Sequence, residues 1–418
     1  MTKFSKISVP FHCFLLLLIM VLGCQEDRQI PLQISEITEH ITFPVFVHLD
    51  SVPDGHYSII AKINAEEIHI PVQSDDDRRW FSLSQDNTDR KAAYYVQNIG
   101  QNNMGQPLLS ASKKNGDLQL SLAGKPLISY RYEMTYPPVG VDSVFRKSGY
   151  VHPVLTLKGD TLSRIQPPDH YHHYGLWGPW THTQISGQQV DFWNLGDRKG
   201  TVLFKDFVSN TSGNVFASFE AVQEHIDLIT EEVPQLALNE NLKVTLWNLN
   251  RPDRYMFDYT TTFNTPLPSG ILFEAYRYGG GIGMRFTERW HQGNSTVLTS
   301  EGHDRSTADG TRARWCIVSG ESADGKGKSG MLFLSHPNNR EHPEPMRVWP
   351  MDANEGRGDM FFEFCPIRYE EWSIKPEREY QLKYRMVVFD GELLPEEAEA
   401  YWQGFVHPPR VDIKTDRR

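Results

Sequence analysis

Apolar and polar residues alternate with a period of two along much of this chain, and that pattern constrains its fold more than any other feature. It is plain in Tyr57-Ser58-Ile59-Ile60-Ala61-Lys62-Ile63, in Asp117-Leu118-Gln119-Leu120-Ser121-Leu122, in Leu242-Lys243-Val244-Thr245-Leu246-Trp247 and in Tyr380-Gln381-Leu382-Lys383-Tyr384-Arg385-Met386-Val387-Val388. Successive side chains of a strand point to opposite faces, so each segment predicts a strand with one buried face. Asp54-Gly55, Asn115-Gly116, Asp324-Gly325 and Asp390-Gly391 are turn signals between such segments. Many strands joined by polar turns predict a sandwich or a barrel. Long helical periodicity is nearly absent before Pro395-Glu396-Glu397-Ala398-Glu399-Ala400-Tyr401-Trp402, where Pro395 suits a first helical position and the glutamates suit a helix N-terminus. The polar, turn-rich Gln101–Pro107 segment predicts a boundary. Before it lies a small β-rich region (25–110) of immunoglobulin-like size; after it come the main body (111–410) and a polar tail (411–418).

The first 24 residues have a different character. Lys3 and Lys6 precede an apolar run from Phe14 to Leu22, which is too short to span a bilayer comfortably and ends in Gly23-Cys24. A positive start, a short apolar stretch and small residues at its end make a secretory signal. The Val21-Leu22-Gly23-Cys24 ending resembles the bacterial lipobox, so Cys24 is expected to carry lipid as the new N-terminus. The acidic Gln25-Glu26-Asp27 that follows resembles a surface-export signal. The chain is therefore expected on the periplasmic side of the outer membrane or at the cell surface. Beyond the leader only Cys316 and Cys365 remain, so at most one disulfide is possible. A net charge of -11 argues against nucleic acid as a partner.

Candidate chemistry concentrates in Gln166–His182, where His170, His172, His173 and His182 fall within thirteen residues, beside Asp169, Trp177 and Trp180. In an extended segment His170 and His172 share one face and His173 takes the other, an arrangement suited to a metal pair or to an acid–base group with an orienting neighbour. The tryptophans suit either a sugar platform or an ordinary core. Asp191 and Trp193 alternate with Phe192 as strand-end residues. Arg277 precedes Gly279-Gly280-Gly281, whose glycines would let backbone approach a ligand. Glu301 opens a turn-rich segment in which Arg312 and Arg314 fall on one strand face, suited equally to a carboxylate or polyhydroxylated ligand and to surface salt bridges. A proline-framed loop carries Asn338, Arg340, His342 and Glu344.

Several of these segments, in order, resemble the PmoA family of Bacteroidetes and related bacteria. They are Ser148–Pro153, Pro168–Trp177, Glu274–Gly281, Ala308–Trp315, His342–Pro345 and the Tyr384-Arg385 to Asp390-Gly391 end. The resemblance covers roughly residues 110–410. It implies a mostly β fold, a large two-sheet antiparallel supersandwich of the galactose mutarotase-like kind, in exported proteins that accompany glycan degradation. The inherited name, methane oxygenase, fits poorly: a membrane oxygenase subunit needs several long apolar helices, and no such run follows the leader. The resemblance brings no catalytic residue with it.

The first functional expectation is an enzyme acting on carbohydrate by epimerisation, elimination or hydrolysis. One of His170, His172 and His173 would serve as acid or base, with Asp169, Asp191, Glu301 or Glu344 as its carboxylate partner. Trp177, Trp180, His182, Trp193, Arg277, Arg312, Arg314, Asn338, Arg340 and His342 would hold the ligand. The second is a glycan-binding lipoprotein without catalysis. The third is a divalent-metal protein using His170 and His172 with His182 or His342, although nothing in the sequence requires a cofactor. All three depend on segments 170–182, 301–314 and 336–344 converging on one cleft.

Overall fold

A computed structural model describes residues 29–35, 41–48, 56–84, 87–88, 92–99 and 106–414. The signal segment, Cys24, the Asp54-Gly55 turn and most of the 101–107 boundary lie outside the described residues. The described chain is mostly β, in several antiparallel sheets, as the alternation predicts. Two sheets dominate. One has eight strands, in the order 200–211, 216–227, 235–247, 254–264, 380–390, 328–335, 315–321 and 295–299. The other has nine and runs from 312–313 through 344–348, 361–364, 282–285, 176–177, 150–154, 125–131 and 117–122 to 109–114. Asn115 and Gly116 both take positive φ and form a two-residue hairpin, with Lys114 paired to Asp117.

The two sheets pack face to face on one apolar core. The Tyr130 ring lies 4.9 Å from Phe219, and Phe333 lies 4.5 Å from Phe362. Residues between those of the core point the other way. Phe333, Met386 and Val388 enter the sandwich, whereas Leu332, Leu334, Val387 and Phe389 join a second core on the outer face of the eight-stranded sheet. The expectation of one buried face for 380–388 thus holds only at its start. The apolar run from Met386 to Phe389 is buried on both sides.

What covers that outer face is the N-terminal region and the helix Pro395–Val406. Phe43, Val45, Val47 and Phe81 share a core with Trp247 and Val387, so the region before residue 110 is packed onto the main body rather than standing apart. In the helix, Glu397 accepts from the Leu394 backbone at 3.2 Å, and Trp402 Nε1 donates to the Ser335 carbonyl at 3.0 Å. Residues 411–413, read above as tail, form a strand paired with 30–34. Backbone pairing and burial of Val411 outweigh the polar composition there. Cys316 and Cys365 are both buried, unpaired thiols.

Beneath this helix lies Glu344, fully buried, which accepts hydrogen bonds from Ser335, from Asn339 at 2.9 Å and from Tyr384 at 2.9 Å. Burial outweighs these three donors and raises its carboxyl from 4.5 to about 7. The folded state therefore binds this proton more tightly than the unfolded one, so stability from Glu344 is full below about pH 4.5 and is lost as pH rises towards 7. Glu344→Gln mimics the protonated acid. Urea unfolding of the two proteins at pH 5 and pH 8 is expected to show the variant losing less stability between them, by on the order of 2 kcal/mol. Equal losses in both proteins would contradict the raised carboxyl.

Candidate functional site

The histidine segment is not extended. The peptide after Ile165 folds back on itself, with Gln166 N donating to the His173 carbonyl at 2.8 Å and His173 N to the His170 carbonyl at 2.9 Å. Pro167-Pro168 and these turn bonds replace a strand's alternation, so His170, His172 and His173 come together instead of dividing between faces. His170 and His173 stack 4.6 Å apart at 22°, and His172 stands edge-on to both at 5.3 and 4.8 Å. All three line a cavity of about 340 Å³, walled also by Trp193, Asn194, Arg277, Tyr278, Arg347, Trp349, Asn354 and Phe361. Every ionisable acid–base or charged group in that wall is basic, apart from the Tyr278 phenol; no carboxylate among the described residues lines it.

A buried ion network holds the segment in place. Arg285, on the strand 282–285, is fully buried and donates through Nη2 to Asp169 at 2.7 Å and to Asp359. Asp359 also receives Arg357 and, at 3.1 Å, Asn354. Burial by itself would raise Asp169, but the hydrogen bond from His170 and the Arg285 charge hold it well below the usual carboxylate range. An ionised carboxylate only accepts, so His170 Nδ1 is the donor to Asp169 at 2.8 Å. In the neutral tautomer of His170 this donation leaves Nε2 as the unprotonated nitrogen. The other face of the network is capped by Trp349, whose ring lies 4.4 Å from the Arg285 guanidinium.

The neighbours are tuned differently. Burial, then the charge of His170, lowers His172 to about 4, so it is neutral near pH 7, and no side-chain hydrogen bond to it occurs among the described residues. His173 is buried, lowered further by the same cause, and its Nδ1 has no partner. Burial pushes Tyr278 up to about 12, so its phenol stays protonated; Asn194 donates to it at 3.2 Å.

Residues 117–403 match a family described as being of unknown function, DUF6807. This chain belongs to the DUF6807 family. No curated protein matches it. Among solved structures it is similar to the heparan sulfate lyase HepC from Pedobacter heparinus, at 9% identity and a TM-score of 0.31, over 71% of this chain and 38% of the lyase. It is also similar to the Slr1438 protein from Synechocystis sp. PCC 6803, at 7% identity and a TM-score of 0.21, over 69% of this chain and 99% of that one. The chain thus spans well under half of the lyase, and superpositions this loose transfer no chemistry.

In this DUF6807 protein two of the three segments expected to converge, 301–314 and 336–344, do meet, Ala313 pairing with Glu344 and Arg312 with Glu341, but away from the cavity that 170–173 lines. Among the residues expected to act, only His170, His172, His173, Trp193 and Arg277 line the cavity, with Asp169 behind them. Asp191 is buried and saturated by Thr181, Asn194 and the backbone of Trp193 and Asn194, so it shapes the turn that presents Trp193. Trp177 packs behind Trp193 at 4.8 Å. Trp180 belongs to the main core, stacked on Phe273 at 4.0 Å. His182 stacks on Tyr276 at 3.7 Å. Glu301 is exposed beside Ser300. Arg312 is tied to Glu341, and Arg314 is tied to Glu399 and the helix. Asn338 is exposed, Arg340 donates to the Glu371 carbonyl, and His342 lies parallel to Trp402.

Glu344 is sealed in the interior. His182 and His342 are thus engaged away from His170 and His172, and no group of three or more His, Cys, Asp or Glu among the described residues is arranged to hold a metal ion. The triple glycine serves packing: a Cβ at Gly280 would meet the Trp180 ring at 2.1 Å, and one at Gly281 the Phe364 carbonyl at 2.1 Å. Sequence reasoning missed Arg285, Asp359, Trp349 and Asn354, which lie far from the histidines in sequence and outside any motif.

Proposed function

We propose that the cavity binds a carbohydrate and that His170, oriented by Asp169, moves a proton at a sugar carbon. The observation that carries this reading is the chain Arg285–Asp169–His170, which ends in a free imidazole nitrogen within an aromatic-walled cavity. The size suits a small ligand, since such sites run from roughly 300 to 1,000 Å³. Trp349 and Tyr278 offer ring faces to the apolar side of a pyranose, with the buried Trp193 behind them, while Asn354 and His172 offer polar atoms to its hydroxyls. Neutral His172 and protonated Tyr278 are donors for an oxygen that gains charge as the proton leaves.

Glycoside hydrolysis usually employs two carboxylates flanking the bond. With none in the wall, the geometry favours epimerisation or elimination over hydrolysis of that kind. We also place the protein outside the inner membrane, lipidated at Cys24, on the strength of its first 24 residues; mass spectrometry of the N-terminal peptide tests that.

The central test is calorimetric titration of the protein with a panel of mono- and oligosaccharides, with product analysis of the same mixtures. Binding accompanied by a new sugar species supports the enzyme. Saturable binding with no product after long incubation would replace it with a glycan-binding protein. A folded protein that binds no sugar would remove both.

A further inference from the structure

The cavity's charge carries the reading one step further. Arg347, one of its two arginines, is already paired with Asp309 at 2.8 Å. The other, Arg277, is exposed at the wall and has no carboxylate partner among the described residues; its guanidinium lies 5.9 Å from the Tyr278 ring. Behind the wall Arg285 keeps Nε and Nη1 buried without partners, even with Asp169 and Asp359 on Nη2. The network's carboxylates are fully matched: Asp359 faces Arg285, Arg357 and Arg164, and Asp169 faces Arg285 and His170. The wall therefore holds a surplus cation in a chain whose net charge is -11. Asp191 acts electrostatically on His172 and Tyr278, but it is sealed behind the wall on Thr181, Asn194 and backbone donors, so no carboxylate among the described residues reaches Arg277 as an ion-pair partner.

We infer that the sugar bound here carries a carboxylate, as a uronic acid does, and that Arg277 pairs with it. The inference rests on the carbohydrate reading of this cavity. A guanidinium binds hydroxyls too, but its bonds to a carboxylate are charge-assisted and about twice as strong as neutral ones, and its planar fork fits that group's two oxygens. The same substituent suits His170 chemically. A carboxylate acidifies the carbon that bears it and takes up the electron pair left when a base removes that carbon's proton, and Arg277 would stabilise the charge that accumulates there.

The experiment is calorimetric titration of the protein and of Arg277→Gln with glucuronic acid, galacturonic acid, glucose, galactose and glucose 6-sulfate. In the unmodified protein a uronic acid is expected to bind at least about 10-fold more tightly than its neutral counterpart, with the preference shrinking as salt rises from about 50 to about 500 mM. In Arg277→Gln the uronate affinity is expected to fall by about 10-fold or more while neutral sugars lose far less. Arg277 is exposed, so the fold is expected to persist, and an unchanged melting temperature checks this. Neutral sugar binding as tightly as uronate, or equal losses for both in the variant, would overturn the inference and leave the carbohydrate reading intact. Tighter binding of the sulfate ester than of either uronate would overturn the carboxylate assignment. Failure of every sugar to bind would end both readings.

Discussion

His170→Ala is expected to lower turnover by about 10²- to 10⁴-fold on whichever sugar the titrations identify, the range that a positioned general acid or base contributes. Removing the ring deletes the imidazole that a carboxylate orients within the cavity; among the described residues His172 has no such partner, and His173 is buried against Phe361. The loss should fall mainly on kcat. The cavity's aromatic walls and Arg277 stay in place and continue to bind substrate. Steady-state kinetics measures the split, and the melting temperature guards against a folding defect, since His170 is 38% exposed and contributes little to the core. Unchanged kcat in an otherwise active protein would pass the role to His172 or dismiss proton transfer by this cluster.

The largest effect on stability should come from Arg285→Met. Methionine replaces the aliphatic stem but removes a fully buried cation from between two carboxylates. Deleting one partner of a buried ion pair leaves an uncompensated charge and costs about 3–5 kcal/mol. The lower part of that range is the better expectation. Asp359 keeps Arg357, Arg164 and Asn354, so Asp169, left with His170 alone, bears most of the cost. Adding Asp169→Asn to Arg285→Met neutralises that group, and the double variant should recover part of the loss. Chemical denaturation of the two single variants and the double closes the cycle. Purely additive losses would show that the pair is not coupled and that Arg285 matters only for packing under Trp349.

The same residues show what the amino-acid order reveals and what it conceals. Strand alternation, the Asn115-Gly116 hairpin and the Pro395 helix start are local signals, and each appears where expected. In sequence the doubly buried Met386–Phe389 reads as having one buried face, because what covers the outer side is the N-terminal region, which local alternation does not reveal. The histidines were conspicuous because they cluster in sequence, yet their arrangement was not: Pro167-Pro168 curls the segment, and period-two reasoning fails in a turn. Arg312, Arg314 and Glu344 carried plausible ligand chemistry that their contacts use internally. Arg285 carried no sequence signal at all, since a cation inside a β-strand looks like a solvent-facing residue until its two acids, more than seventy residues away on either side, are seen beside it.

The pairing of 411–413 with 30–34 has a bearing on biogenesis. During synthesis strand 30–34 emerges more than 370 residues before strand 411–413. Until then the early strand has only residues 94–96 to bond with, and its far side presents free amide and carbonyl groups of the kind that recruit other chains. The sheet that holds 30–34 is therefore closed by residues far downstream in the chain, and loss of 411–413 would expose an adhesive margin on a strand remote from them in sequence.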